Sequence, residues 1–543
     1  MRNMEVARSG SSPSAVPRAL AAVSSEYETP PGFVDELFDE AGEPREHARE
    51  LVASLDRMGR VPLLELGRRR DRAFTQRGIT FEITSPDRQA RDRPFPLDLV
   101  PRVVPASEWE AIEAGLRQRI KALNAFIGDV YGRQEILREG VIPWALVLGC
   151  PSFRRAVHGV RPPGGIWCTV AGCDLVRDGD GTWRVLEDNV RTPSGVSYVL
   201  ENRLAMTRLV PELFAGYRVQ PVDGYPALLR EALLEVAPAL GDEATVVVWT
   251  PGPANSAYFE HAFLARQMGV ELVEAGDLVV RDEVCYMRTT SGLTRVDAIY
   301  RRLDDDFVDP LEFRPDSLLG VPGLTRAIRA GSLALANAIG TGVADDKAVY
   351  RYVPEMIRYY LGEEPELANV ETYLLRNREE LALALERIDS LVLKPTNESG
   401  GKGVFVGPSA SDEEIARQRE ATLRDPSRWI AQELVHLSTA PTVTSDGSLV
   451  PRHVDLRPFA VYGSEVRIIP GGLTRVALQE GSMIVNSSRG GGSKDTWVLR
   501  PEPGEITRTM RAVAEPPELP VMPALGTGAW TSQQQQQQQG KAG

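Results

Sequence analysis

The sequence is poor in cysteine and histidine. Four cysteines (Cys150, Cys168, Cys173, Cys285) and five histidines are scattered over 543 residues, with no repeated Cys-x-x-Cys. That excludes a disulfide framework and zinc-finger spacing, and it fits reduced thiols. Positive charge is also in deficit: 62 Lys and Arg against 75 Asp and Glu leave a net −13. No basic surplus exists to neutralise a phosphate backbone, so no nucleic-acid partner is expected. No apolar run approaches the roughly 18 residues of a membrane span; the nearest, Val141 to Gly149, contains Pro143. The N-terminal residues lack the apolar segment of a signal peptide, and the expectation is a cytoplasmic chain with no membrane partner.

What is present is a globular composition, 42% hydrophobic and 25% charged. The chain is too long for one ordinary core, and two or three sub-domains are expected. Residues 1–30, rich in Ser, Ala and Pro, are expected to be disordered. So is the tail beyond Arg500, Pro-rich and ending in a glutamine run from Gln533 to Gln539. Phe33 to Met58 reads as helical. Ser107-x-x-Glu110 reads as a capping box, and apolar residues at 109, 112, 116, 120, 123, 127 and 130 keep helical spacing behind it. Thr245 to Trp249 reads as a strand, followed by a helix through Met268 and a strand from Val270 to Val273, a βαβ-like unit.

Chemistry concentrates in Ala171 to Asn189, which reads as two short strands around a tight turn. Asp180-Gly181 supplies the two positive-φ positions of a type I′ hairpin. That register sets Asp174 opposite Glu187 on one face, and Asn189 joins the face by alternation. Facing carboxylates repel unless something positive lies between them. A hard cation that takes only oxygen ligands, Mg²⁺ above all, removes the penalty. A solvated hairpin with unrelated acids explains the stretch equally well when it is taken alone. A turn at Asp178-Gly179 would instead put Asp174 opposite Trp183.

Further along, Gly340-Thr-Gly-Val-Ala-Asp-Asp-Lys347 opens a helix capped by Asp345 or Asp346. Lys347 in the first turn opposes the helix dipole, which is better explained if an anion binds beside it. Leu391 to Val406 reads as strand, loop and strand, with Lys394 on the first strand and Gly400, Gly401, Lys402 and Gly403 in the loop. Such glycines let backbone N–H groups approach an anion closely. The P-loop spacing is absent and no helix follows, and a plain glycine hairpin is the alternative. His453 to Tyr462 alternates, with Asp455 and Arg457 on one face, and Leu473 to Leu478 carries Arg475. Val485 to Asp495 is a second glycine loop whose Arg489 and Lys494 suit a charged group. Asn255, Glu260 and His261 follow the 245–249 strand, where βαβ units place ligands; capping and packing the helix explains them as well. Arg301-Arg-Leu-Asp-Asp-Asp306 is a solvated face by default. Its place after an apolar strand, Val296 to Tyr300, keeps a substrate role open.

Together these features resemble the ATP-grasp superfamily of ATP-dependent ligases. The resemblance rests on Lys347 opening a helix, Lys394 ahead of Gly400-Gly-Lys-Gly403, and Gln432-Glu-Leu-Val435 matching the hinge strand that holds adenine. Asp174 with Glu187-x-Asn189 matches the metal site. In ordinary members the metal hairpin follows the hinge; here it comes long before the lid. That order resembles the circularly permuted group, whose members look like the synthetase part of glutathionylspermidine synthases. The match runs from roughly residue 75 to 500 and includes Leu186-Glu-Asp-Asn-Val-Arg-Thr-Pro-Ser-Gly-Val-Ser-Tyr198, Asn255-Ser-Ala-Tyr-Phe-Glu-His261, Asp345-Asp-Lys347 and Gly471-Gly-Leu-Thr-Arg475.

The resemblance implies an α+β (mixed α/β), circularly permuted ATP-grasp fold with an accompanying Rossmann-like segment. The implied division is a disordered tail over 1–30, a helical region with the metal-binding half over 31–240, and the Rossmann-like segment over 241–340. The ATP-binding half with lysines, lid and hinge then spans 341–500, ahead of a disordered tail over 501–543. The implied cofactors are ATP and Mg²⁺. The ion would sit on Asp174, Glu187 and Asn189, and ATP on Lys347, Lys394, Gly400, Gly401, Lys402, Gly403, Gln432, Glu433 and Val435. Several D-alanine ligase-like members carry an arginine two residues before the metal Asp. Gly172 stands there in this chain, so charge stabilisation falls to Arg457, Arg475, Arg489 and Lys494 as candidates. The implied reaction is phosphorylation of a carboxylate by ATP and attack of an amine on the acylphosphate, the work of a carboxylate–amine ligase. A phosphotransferase and a non-catalytic nucleotide-binding assembly module are the alternatives. Ser194, Ser197, Asn255, Glu260, His261, Arg301 and Arg302 are candidates for the substrate pocket. Small-molecule or peptide carboxylates and amines are the expected partners; operon-encoded protein partners are not readable from sequence.

Overall fold

The computed structural model describes residues 22–81, 93–238, 243–397, 403–483, 485 and 491–501. Gly400, Gly401, Lys402, Arg489, residues 1–21 and residues 502–543 lie outside these residues. Within the N-terminal stretch expected to be disordered, residues 22–30 are held against the body. Val23 is 1% exposed, and Ser24 donates to Asp56 from its amide (2.8 Å) and its hydroxyl (2.7 Å). The expected Phe33–Met58 helix is shorter, running over Arg49–Met58 after a single 3-10 turn at Glu46–Ala48. Asp35 prevents an earlier start, because its carboxylate accepts the amides of Leu37 and Phe38 (both 3.0 Å) and bends the chain.

The main sheet takes strands from opposite ends of the sequence. Its order is Ala368–Asn369, Trp183–Asn189, Val170–Arg177, Leu449–Tyr462, Val466–Val476, Gly492–Val498 and Leu97–Val104, with Thr439–Val443 paired to the Leu449 strand. A second, antiparallel sheet orders Thr372–Leu374, Trp429–Glu433, Leu391–Pro395 and Phe405–Val406. Residues 341–500 therefore contribute to two sheets, one of them shared with the hairpin. A third sheet is parallel throughout: Ala334–Ala336, Ala298–Arg301, Val246–Trp249 and Glu271–Val273. The helix Tyr258–Met268 crosses between its last two strands, as the βαβ reading requires.

The 25-residue helix Ala106–Val130 buries the apolar positions read from its spacing, from Trp109 to Val130. Its cap differs from expectation: Pro105 is the N-cap without a side-chain bond, and Ser107 lies inside the first turn. The buried stripe also carries a charge, Arg119, one turn from Leu116 and Leu123. Residues of this helix share one apolar core with Trp249 and Ile299 of the parallel sheet and with Leu456 of the main sheet. The two sheets are joined by polar contacts as well. Asn337 donates to the carbonyls of Val170 and Val190 (both 2.7 Å) and accepts the amide of Val170 (2.8 Å).

Candidate active site

The hairpin reaches the expected pairing by another route. Asp174 faces Glu187, Gly172 faces Asn189 and Cys173 faces Asp188. Nearer the turn the register shifts, and Leu175 faces Val185. The turn is one residue longer than the two-residue loop expected. Asp178 N–H donates to Thr182 O (3.0 Å), and Gly181 alone takes a positive φ, 80°. By itself that slip would have turned Glu187 to the other face. A β-bulge at Leu186 absorbs it and returns both carboxylates to one side. Asp188, on the opposite face, is clamped by Arg119 through two bonds of 2.7 Å, and Arg119 also donates to Asn369 Oδ1 (2.7 Å). The strand carrying Glu187 and Asn189 is thus fixed from behind. Arg119 was missed in the sequence, although an arginine on an apolar helical stripe is a signal of a buried pair.

Positive charge converges on the facing acids. Arg457 donates to Asp174 through Nε (2.5 Å) and Nη2 (2.8 Å), and Arg475 Nη2 reaches Asp174 Oδ2 at 2.6 Å. Arg475 is shared with Asp455, which stands directly opposite it on the adjacent strand. Arg457 Nη2 also lies 3.9 Å from Glu187, and Lys347 Nζ lies 3.5 Å from the other Glu187 oxygen. Guanidinium groups therefore already relieve the repulsion between the two acids. Burial opposes ionisation of Asp174, but Arg457 and Arg475 outweigh it and hold its carboxyl well below the usual range.

Lys347 is placed by its helix start. Asp346 is the N-cap and accepts the amides of Ala348 (2.8 Å) and Val349 (3.3 Å), while Lys347 N–H bonds Thr396 O (3.0 Å) at the end of the Lys394 strand. Lys394 is pushed down to about 8 by burial and by Lys347, against the pull of Glu187. Beside them Asp345 is pushed up to about 7 by burial, despite Arg191 and the Val190 amide that it accepts (2.6 Å). Two neighbouring lysines, one of them depressed chiefly by burial and further by the other, make a site that gains from a polyanion.

The remaining sequence candidates divide clearly. Gln432 is buried and donates to Thr372 Oγ1 (3.0 Å), while its Oε1 is buried without a partner. Glu433 is gripped by both Nη atoms of Arg387 (2.8 Å each) and by the Tyr373 hydroxyl. Val435 packs with Val176, Val370, Leu437 and Ala477. Gly403 has a φ of 69°, where a β-carbon would also meet Pro395 at 2.9 Å, so only glycine fits. Lys494, expected as a catalytic cation, is 1% exposed and bonds Asp98 (2.5 Å) and the carbonyls of Val100 and Pro441. It ties strands together and is corrected to a structural role.

Several pocket candidates have partners within the protein. Arg301 is 0% exposed; it donates to the carbonyls of Asn337, Leu303 and Ala338 and pairs with Asp305, leaving nothing for a substrate. His261 is buried against Thr250 (2.9 Å), and burial keeps its ring neutral. Asn255 accepts the Ala257 amide (2.9 Å) ahead of its helix. Glu260 accepts the amides of Gly195 (2.7 Å) and Ser197 (3.1 Å) and the Ser197 hydroxyl (2.9 Å), and it pairs with Arg302 at 3.2 Å. Arg302 in turn holds Pro193 O (2.8 Å) and Ser194 Oγ (2.5 Å). Ser194 O accepts from Arg457 Nη1 at 3.4 Å. These residues shape the loop beside Arg457.

Mg²⁺ fits the donor chemistry. Glu187 and Asn189 offer oxygen atoms on the strand facing Asp174, and the Asn189 Nδ2 is buried without a partner. Both Asp174 oxygens already accept from Arg457 and Arg475, so an ion there would share Asp174 with the guanidinium groups. Among the described residues no three His, Cys, Asp or Glu side chains converge as a metal group. The set consists of two carboxylates and an amide.

An eight-stranded sheet carrying acids and arginines, together with a smaller antiparallel sheet carrying a half-buried strand lysine, is the arrangement of an ATP-grasp protein. Residues 101–477 match the family described as circularly permuted ATP-grasp type 2, and the chain belongs to that family. An uncharacterised protein of Synechocystis sp. is 52% identical over 472 residues, covering 87% of this chain and 98% of its own. An uncharacterised protein of Mycobacterium tuberculosis is 54% identical over 479 residues, 88% of this chain and 86% of its own. A Frankia alni protein provisionally named glutamate–cysteine ligase 2-3 is 46% identical over 487 residues, but this chain spans only 56% of its length. Among solved structures, a glutathione synthetase-like effector from Globodera pallida shares the fold, with a TM-score of 0.54 at 13% identity, over 80% of this chain and 97% of that one. No described helix is long and apolar enough to cross a membrane.

Proposed function

We propose that the chain is an ATP-dependent carboxylate–amine ligase that forms an amide bond through an acylphosphate, releasing ADP and phosphate. Membership of the family and the name of the Frankia alni relative support an ATP-dependent ligase in general. The observation that carries the finer reading is the convergence of Asp174, Glu187, Arg457, Arg475, Lys347 and Lys394 on one place. A site with this balance binds a triphosphate and tolerates a second anion beside it.

Asp174, Glu187 and Asn189 would hold Mg²⁺, which when bound neutralises phosphate charge. Lys347 and Lys394 bind phosphate oxygens as point charges. Arg457 and Arg475 are held rigidly by Asp174 and Asp455, so they offer fixed donors where charge develops on phosphorus or the carboxyl carbon. Gln432, Glu433 and Val435 wall the adenine. No group on the chain needs to become a covalent nucleophile.

The test is ADP and phosphate release by the full chain with pools of acids and amines, glutamate and cysteine first. Release that requires both an acid and an amine, and is abolished in Glu187→Gln, is the expected result. A stable phosphorylated product, tight ATP binding without turnover, or wild-type turnover in Glu187→Gln each overturns the reading.

A further inference from the structure

The last two turns of the Ala106–Val130 helix wall a cavity of about 630 Å³ whose lining includes none of the residues assigned above to metal or nucleotide. Trp167 is the most buried residue of that lining, at 4% exposure. Its position is fixed from three sides. The ring stacks on Tyr131 (centroids 5.1 Å apart), the main-chain N–H donates to Asn124 Oδ1 (2.8 Å), and the carbonyl accepts the Ala338 amide (2.9 Å). A β-carbon on Gly128 would lie 3.3 Å from Trp167 Nε1, so the N–H edge of the ring faces the wall that this glycine leaves bare. Gly128 lies inside the helix, where glycine is the poorest former after proline. Alanine would suit the helix better and would cover the N–H with a methyl group.

Buried indole N–H groups ordinarily find an acceptor. Trp183 Nε1 donates to Glu108 (3.1 Å) and Trp497 Nε1 to Asp495 (2.7 Å). Trp167 Nε1 donates to no acceptor among the described residues. Trp249 Nε1 also lacks one, but it is sealed in the core, whereas Trp167 lines a cavity. Charge in the lining is of one sign: Arg133 and Arg161 contribute to it and no carboxylate does, in a chain of net −13. Arg161 has no ion pair among the described residues. Arg133 lies 3.3 Å from Glu135 with both side chains exposed, a surface bridge that exchanges readily for another anion.

We infer that this cavity is a second ligand site, which takes a small organic acid with one carboxylate and an apolar body. Trp167 Nε1–H and Arg161 serve the carboxylate, and Ala125, Val160 and Pro162 line the body. The volume lies within the roughly 300–1,000 Å³ of small-molecule pockets. One neutral N–H and two exposed guanidinium groups match a single negative charge. A phosphate dianion is held by a nest of backbone N–H groups, and the two glycines nearest the indole N–H supply none: Gly132 N–H bonds Asp129 O (2.9 Å) and Gly159 N–H bonds Tyr131 O (2.8 Å). The site is independent of the ligase reading and stands or falls without it.

The test is fluorescence titration of the full chain with anilinonaphthalene sulfonate, an apolar body carrying one negative charge. Mg²⁺ and a non-hydrolysable ATP analogue are kept saturating, so that the nucleotide site is closed to the probe. Saturable binding of one probe per chain is expected, with displacement by octanoate and phenylacetate but not by the uncharged octanamide and phenylacetamide. Trp167→Phe keeps the ring on Tyr131 and removes only the N–H; it should weaken binding about tenfold, the scale of one lost charge-assisted bond. Gly128→Ala should act in the same direction. The exposed Arg161→Glu, which leaves packing untouched, should weaken binding by at least as much, and all three variants should bind the ATP analogue as wild type does. The inference is overturned if the probe does not bind with nucleotide in place, if the amides compete as well as the acids, or if Trp167→Phe and Arg161→Glu both keep wild-type affinity.

Discussion

Arg457 fills the space over Gly172. A β-carbon on the glycine would lie 3.2 Å from Arg457 Cδ and 3.2 Å from Pro193 Cβ. The arginine that the resemblance to several D-alanine ligase-like members leads one to expect two residues before Asp174 is replaced on this strand by Gly172. A guanidinium from the neighbouring strand reaches the same aspartate instead. Glycine at 172 and arginine at 457 are thus complementary, and neither is interpretable alone.

Gly172→Ala tests that relation. Its backbone is not in the left-handed region, so the added methyl acts by pushing on Arg457 and Pro193. Stability should change by under about 1 kcal/mol, whereas turnover should fall roughly tenfold as the Arg457–Asp174 bonds are displaced. Arg457→Lys, which keeps the charge but loses the two-pronged bond, should lower turnover more. Unchanged turnover in both variants would remove Arg457 from the chemistry.

The Arg119–Asp188 clamp is buried on both sides, at 1% and 3% exposure. Arg119→Met leaves a buried carboxylate unpaired, and the expected loss is about 3–5 kcal/mol in denaturant unfolding. Arg119→Met with Asp188→Asn should recover part of it, because no uncompensated charge remains. A loss below about 1 kcal/mol for the single variant would mean that the pair is no stronger than a surface bridge.

How much of this was legible follows from range. Helical periodicity over 106–130, the Asp346 cap at Lys347 and the βαβ unit are local patterns, and they appear where expected. The facing of Asp174 and Glu187 was anticipated from a turn that does not form, and a bulge at Leu186 restored it; a bulge leaves no mark in alternation over so short a strand. Long-range pairings were invisible. Lys494 reads as a free cation beside glycines until Asp98, almost four hundred residues earlier (sequence separation 396), meets it. Glu260 and Arg302 read as pocket residues until their partners prove to be the 193–197 loop. A charge declares its presence in sequence but not its partner.

A phosphate contact by Lys394, as proposed, should make nucleotide binding pH-dependent. Its ammonium is pushed down to about 8 in the free protein, with burial the main cause. Phosphate oxygens favour the charged form and raise it again, so between about pH 8 and the ordinary lysine value near 10.4 binding must take up a proton. Below about 8 the lysine is already charged and the uptake vanishes. Calorimetry at pH 8.5 in buffers of different ionisation enthalpy should show proton uptake in wild type and not in Lys394→Met. Equal buffer dependence in the two would separate Lys394 from the phosphates.

The interleaved main sheet makes a final prediction about dividing the chain. Its hairpin strand Val170–Arg177 pairs with Leu449–Tyr462, and Leu97–Val104 pairs with Gly492–Val498. A cut between about residues 240 and 340 separates every one of these partners. The N-terminal piece would expose the apolar edge of Val170–Arg177, whose residues are buried except Arg177, and such an edge promotes aggregation. Asp174 would lose Arg457 and Arg475 together and remain as a charge with no pair. Each piece expressed alone should therefore be insoluble or unfolded by amide exchange, and both should be inactive. Soluble, folded fragments on either side would show that the sheet is not the cooperative unit that joins metal face and lysines.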